Sequence, residues 1–96
     1  MSEANKKILD SFYMHVSSGI VRSKRPRVYY RADNNTIKIL TLIDDYNEEL
    51  EDKIYTAEFR TIKQFPDSNI EFKLSPKFKF PIKSIVPDNF TIYQPA

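Results

Sequence analysis

Ile8, Leu9, Phe12, Tyr13 and Val16 recur at i, i+1, i+4, i+5 and i+8, the spacing of one apolar stripe on an α-helix. Ser2 stands ahead of them where an N-cap hydroxyl is wanted. Gly19, the only glycine in the chain, follows Ser17-Ser18 where a left-handed residue closes a helix. The pattern predicts a first helix between these two signals.

The period then changes. Pro26 blocks helix continuation, and "RVYYRA" (27–32) is rich in strand formers. "DNNT" follows, and Asn34-Asn35 tolerate the positive φ of a tight hairpin turn. "TIKILTLI" (36–43) is the strongest strand signal. Ile37, Ile39, Thr41 and Ile43 fall on one face, and Lys38, Leu40 and Leu42 on the other. Apolar residues on both faces predict a central strand with something on each side.

A second helix is predicted from about Asp45 to Gln64, with Tyr46, Leu50, Ile54, Ala57, Ile62 and Phe65 as its buried stripe. Asp45 is its expected cap, and Pro66 stops it. "NIEFKLS" (69–75) then alternates Ile70, Phe72 and Leu74 against Glu71, Lys73 and Ser75, a half-buried strand. The parity continues past Pro76, with Phe78, Phe80 and Ile82 against Lys77, Lys79 and Lys83. Prolines 76, 81 and 87 keep this tail away from a central position in a sheet, and "NFTIYQ" (89–94) reads as a last short strand.

The order is α-β-β-α-β, with a final β as an addition. A hairpin followed by a strand-helix-strand crossover, right-handed by the usual rule, gives a mixed sheet of three to four strands. Both helices then lie on one face, so the expectation is a two-layer α+β sandwich. Residues 1–96 are expected to form a single domain, with the Pro-rich extended tail 76–96 packed on its core.

Composition narrows the chemistry. One glycine cannot build a Walker A loop or a GxGxxG turn, and the absence of cysteine removes thiolate chemistry and Cys-based zinc sites. Nothing points to a cofactor or a small-molecule substrate. The opening "MSEANKKILDSF" lacks the apolar core of a secretory signal, and no run approaches the roughly 18 apolar residues of a membrane span. A cytoplasmic location is the expectation. The net charge of +2 conceals segregation: residues 44–58 hold seven acids and one lysine, whereas basic residues dominate both flanks.

Four candidate sites follow. "FPDSNIEFK" (65–73) places Pro66-Asp67 ahead of Glu71-x-Lys73, the letter pattern of metal-dependent nucleases. Only Ser68, Asn69 and Ile70 separate Asp67 from Glu71, too few for the hairpin that such carboxylates need. Helix-stop and strand-start punctuation is the better reading. Asp44-Asp45, at the end of a parallel strand, could hold a cation, but acids at a helix N-terminus account for most of that block. His15 is the lone histidine and has no motif partner. Catalysis is therefore not expected.

The basic segment is the third candidate. Arg22, Lys24, Arg25, Arg27 and Arg31, interleaved with Tyr29 and Tyr30, have the ingredients for phosphate contacts and base stacking, or for an acidic protein partner. The overall pI of 8.8 is slightly below the guide of about 9 for nucleic-acid binders. The fourth is the sheet face opposite the helices, where Leu40, Leu42 and Tyr30 would form an interface if nothing covered them. Together these favour a small non-catalytic protein-interaction or regulatory module, with self-association among its modes. Nucleic-acid binding through 22–31 is the alternative, and a metal-dependent nuclease a distant third.

Overall fold

The first helix, α1, spans Glu3–Ser17 in the computed structural model, which describes residues 1–44, 47–76 and 85–95. The Ser2 hydroxyl accepts from the Asn5 amide at 3.1 Å, as the cap signal requires. At the other end Ser18 N–H donates to Met14 O at 3.1 Å, and Gly19 takes φ +76°. That region costs an L side chain energy, which is why the single glycine sits there.

A single 3-10 turn, Arg22–Lys24, leads to β1 (Arg27–Asp33). The hairpin turn places Asn34 at φ 47° and hands the chain to β2 (Thr36–Ile43). The strands pair antiparallel from Arg27↔Leu42 to Asp33↔Thr36. The second helix, α2, spans Glu48–Gln64. Its cap is Asn47, whose side chain accepts from Leu50 N–H at 3.1 Å. This replaces the expected Asp45; Asp45 and Tyr46 lie outside the described residues. The strand β3 (Asn69–Pro76) pairs parallel with β2, Ile37↔Ile70 through Ile43↔Pro76. The last strand, β4 (Thr91–Ile92), pairs antiparallel with β1 and is shorter than the 89–94 run suggested.

The sheet order is β3-β2-β1-β4, so the strand with apolar residues on both faces is internal, as its pattern demanded. The fold is the expected α+β arrangement of two helices and a mixed four-stranded sheet.

Register decides which side chains meet the helices. Ile37, Ile39 and Ile43 of β2 join Val28 of β1 in one buried cluster with Ile8, Leu9, Phe12 and Val16 of α1 and Ile54 and Ala57 of α2. Phe12 meets Phe72 of β3 with ring centroids 4.9 Å apart. Tyr13 meets Tyr93 at 5.4 Å, and the Tyr93 hydroxyl donates to Asp10. Burial, and then the Asp10 carboxylate, push the Tyr93 phenol well above its ordinary range. Each fully buried aliphatic side chain of this layer contributes roughly 1.5–3 kcal/mol.

Two side chains depart from the expected faces. Tyr30 pairs with Ile39 and packs against the helix-side cluster, because alternation gives the opposite face to Tyr29. Ile62 of α2 is 47% exposed, and Thr61 takes the buried position next to it. The core line on α2 runs Leu50, Ile54, Ala57, Thr61, at i, i+4, i+7 and i+11, and Ile62 lies about 100° round the helix from its end.

Candidate interaction surfaces

The face of the sheet turned away from the helices is not bare. Leu40 and Leu42 each keep only 2% exposure. With Tyr30 on the helix side, none of the three proposed interface residues forms a surface patch in this conformation. Beside Leu40 lies a cavity of about 470 Å³, bordered also by Ile85, Pro87 and Phe90. The register sets Arg31, Lys38 and Glu71 in one row across three strands, and Tyr29, Leu40 and Lys73 in the next. Lys77, Lys79 and Lys83, which would prolong this basic row, lie outside the described residues.

The basic segment is divided among three places. Arg22, Arg25 and Arg27 border a cavity of about 310 Å³ together with Tyr13, Tyr93 and Asp44. Arg25 is fixed there, since its Nε donates to Ile20 O at 2.9 Å. Lys24 turns to a different cavity of about 590 Å³, shared with Asp44, Glu49 and Lys53. Arg31 lies on the sheet face and pairs with Asp33 at 3.3 Å. A 3-10 turn followed by a strand cannot aim successive side chains one way, so five basic residues close in sequence do not form one surface.

The nuclease letters are separated as their spacing required. Asp67 lies in the turn after α2, where Ser68 N–H donates to Phe65 O at 3.1 Å. Glu71 and Lys73 are exposed on β3. Among the described residues, no group of three or more His, Asp or Glu side chains is placed to hold a metal ion. His15 borders a small cavity between the helices with Ser18, Lys53, Thr56, Ala57 and Arg60.

A different surface stands out. Tyr55, Phe59 and Ile62 of α2 are 49%, 61% and 47% exposed. They recur at i, i+4 and i+7, so they form one line along roughly 10 Å of helix. The opposite flank of α2 faces α1. There Lys53 Nζ donates to Ser18 O, and Gln64 Oε1 accepts from Ser11 Oγ at 2.6 Å. Residues two apart on a helix point about 200° from one another. Tyr55 and Ile62 therefore look away from α1 because Lys53 and Gln64 look toward it.

The ends of this line are charged. A hydrogen bond to the Glu51 carboxylate raises the Tyr55 phenol above its ordinary value, so Glu51 reaches the line near its start. At the far end Lys63 holds its ammonium over the Phe59 ring, 5.2 Å from the centroid. Between this line and the core line sits Glu58, whose half-buried carboxyl is pushed up to about 7 by desolvation. The sequence reading allowed one apolar stripe on this helix and assigned Ile62 to it. A second period-3.6 line, Tyr55-Phe59-Ile62, was present in the same residues and was the available signal.

Among the described residues, no helix is long and apolar enough to cross a membrane. Comparison with known proteins finds no matching family model, no matching curated protein and no matching solved structure.

Proposed function

We propose that this chain is a non-catalytic module that works by binding protein, and that its contact surface is the α2 flank bearing Tyr55, Phe59 and Ile62. The observation that supports the reading is the exposure of these three large side chains in one line on a regular helix. Single exposed apolar residues are common on any surface, but an aligned set is a patch. From the exposed fractions of side chains this size, the patch amounts to roughly 300 Å². Anchors at i, i+4 and i+7 are the way a helix presents itself to an apolar groove or to another helix. Two of the three are aromatic, the type enriched at the centres of interfaces.

The test is affinity capture from the source cell with the wild-type chain and with Phe59→Glu as baits. The expected result is a protein, whether another chain or this one, retained by the wild type and lost with the variant, while both melt at similar temperatures. Identical capture by the two baits would refute the assignment of the surface.

Nucleic-acid binding remains the second reading, favoured by the gathering of Arg22, Arg25 and Arg27 beside the Tyr13–Tyr93 ring pair. Asp44 in the same cavity and the engagement of Arg31 by Asp33 weigh against it. It requires affinity for single-stranded oligonucleotides that falls steeply between about 50 and 200 mM salt. Binding that is absent at low salt removes it.

A further inference from the structure

We propose that the cleft between the two helices binds a small, free phosphorylated anion, held by Arg60, Lys53, Thr56 and His15. The cleft lies on the flank of α2 that faces α1, away from the Tyr55-Phe59-Ile62 line, and is independent of the protein-binding reading.

Helix spacing builds the site. Lys53, Thr56, Ala57 and Arg60 fall at i, i+3, i+4 and i+7, one face of α2. His15 and Ser18 of α1 stand across from them, and together they border a cavity of about 270 Å³. Ala57 is buried and small. It leaves room between two long cationic side chains that start roughly 10 Å apart along the helix.

Charge selects the ligand. Of the four cavities described above, this one alone has no carboxylate on its border. Glu71 borders the cavity beside Leu40, Asp44 borders the two beside the basic segment, and Glu49 borders one of those two. No hydrogen bond or ion pair among the described residues engages the side chain of His15, Thr56 or Arg60. Lys53 uses one of its three N–H donors on Ser18 O. That bond also offsets the partial negative charge at the C-terminus of α1, which would otherwise repel an anion. The cleft thus offers a guanidinium fork, an ammonium, a hydroxyl and an imidazole, which has an N–H in either protonation state. Arginine and lysine gathered on a compact oxyanion are a recurring means of binding phosphate.

The surroundings limit the ligand's size. The cavity lies just under the range of roughly 300–1,000 Å³ typical of small-molecule sites. No aromatic ring borders it to stack a base. Glu48, Glu49 and Asp52 precede Lys53 on the same helix. A polyanion running past the cleft along α2 meets this like charge, whereas a compact anion does not. One or two phosphate groups are therefore favoured over a nucleic-acid strand or an anionic membrane surface.

The test is titration of the full chain with inorganic phosphate and with pyrophosphate at low salt, followed by calorimetry and by backbone amide NMR shifts. Saturable pyrophosphate binding with a Kd of about 1 mM or below is expected, with the shifts concentrated in residues 15–18 and 53–60. Arg60→Gln and Lys53→Gln should each weaken it about tenfold or more, and His15→Gln about two- to fivefold. Lys6→Gln makes the same charge change roughly 14 Å along α1 from His15 and should leave affinity within about twofold. Arg60 is exposed, so Arg60→Gln should melt with the wild type, and its loss of binding is not unfolding. No saturation by either probe at about 10 mM overturns the proposal. Equal losses in Lys6→Gln and Arg60→Gln overturn it too, because they show diffuse attraction. Binding indifferent to Arg60→Gln and Lys53→Gln belongs to another site and has the same consequence. Parallel titrations with phosphatidic-acid vesicles and with a single-stranded oligonucleotide separate the sources of phosphate. Arg60-dependent binding to either that is tighter than to pyrophosphate overturns the assignment of a small, free ligand.

Discussion

Replacing Thr41 by valine exchanges one hydroxyl for a methyl at the centre of β2. Thr41 is fully buried, paired with Val28 on one side and Leu74 on the other, and its backbone groups belong to the strand ladders. Among the described residues its Oγ1 has no hydrogen-bond partner. A buried hydroxyl without a partner costs roughly 1–3 kcal/mol in lost hydration. Valine has nearly the same shape and an equal or better strand preference. Thr41→Val is therefore expected to stabilise the fold by about 1–2 kcal/mol, the lower part of that range, since packing is disturbed slightly. In a domain of this size that raises Tm by roughly 5–15 °C. In urea the midpoint should rise with an unchanged m-value.

Thr61 provides the control. It is equally buried, but its Oγ1 donates to Ala57 O at 2.8 Å. Thr61→Val removes a satisfied group and should give no gain, with a loss of up to about 1 kcal/mol. The same chemical change is thus expected to act in opposite directions at the two sites. Calorimetry and urea melts of both variants check this. A Thr41→Val protein no more stable than the wild type, or an equal gain at both sites, would refute the hydrogen-bond accounting.

Ile54→Ala should cost about 2–5 kcal/mol while Ile62→Ala should cost well under about 1 kcal/mol, because Ile54 is fully buried and Ile62 is 47% exposed; denaturant melts separate them. Asn47→Ala removes the cap of α2 and should cost about 1 kcal/mol, whereas Asn47→Gly should cost only a few tenths. Glu58 has its folded value raised to about 7 from an ordinary 4.5. Below about 4.5 it is protonated in both states and costs nothing, and its penalty grows as pH rises through 7. Glu58→Gln should thus match the wild type near pH 4 and exceed it at pH 8. The gap should be on the order of 1 kcal/mol, since solvent screens a half-exposed group. A gap that does not change with pH would show that desolvation of Glu58 is not its source.

The elements were legible from local chemistry alone. Ser2, Gly19, Asn34 and Pro66 act within a few residues of themselves, through caps, a left-handed φ or a missing N–H, and each marks a boundary where the chain does turn or stop. The change from period 3.6 to period 2 and back follows from the same short-range geometry, and with it the hairpin, the crossover and the internal place of β2. What the residues could not decide is which of two surfaces wins a given side chain. Tyr29 and Tyr30 are the same residue type side by side, and only the pairing of Tyr30 with Ile39 sends Tyr30 to the helices. Leu40 and Leu42 read as bare or covered with equal ease, and only the folded structure shows that each keeps 2% exposure. Ile62 fits an apolar stripe by spacing but loses the core to Thr61, because α1 and the sheet set the angle at which α2 docks. Burial belongs to two surfaces at once, so a one-dimensional pattern determines the elements and tertiary contact alone determines which apolar line of α2 is left facing water.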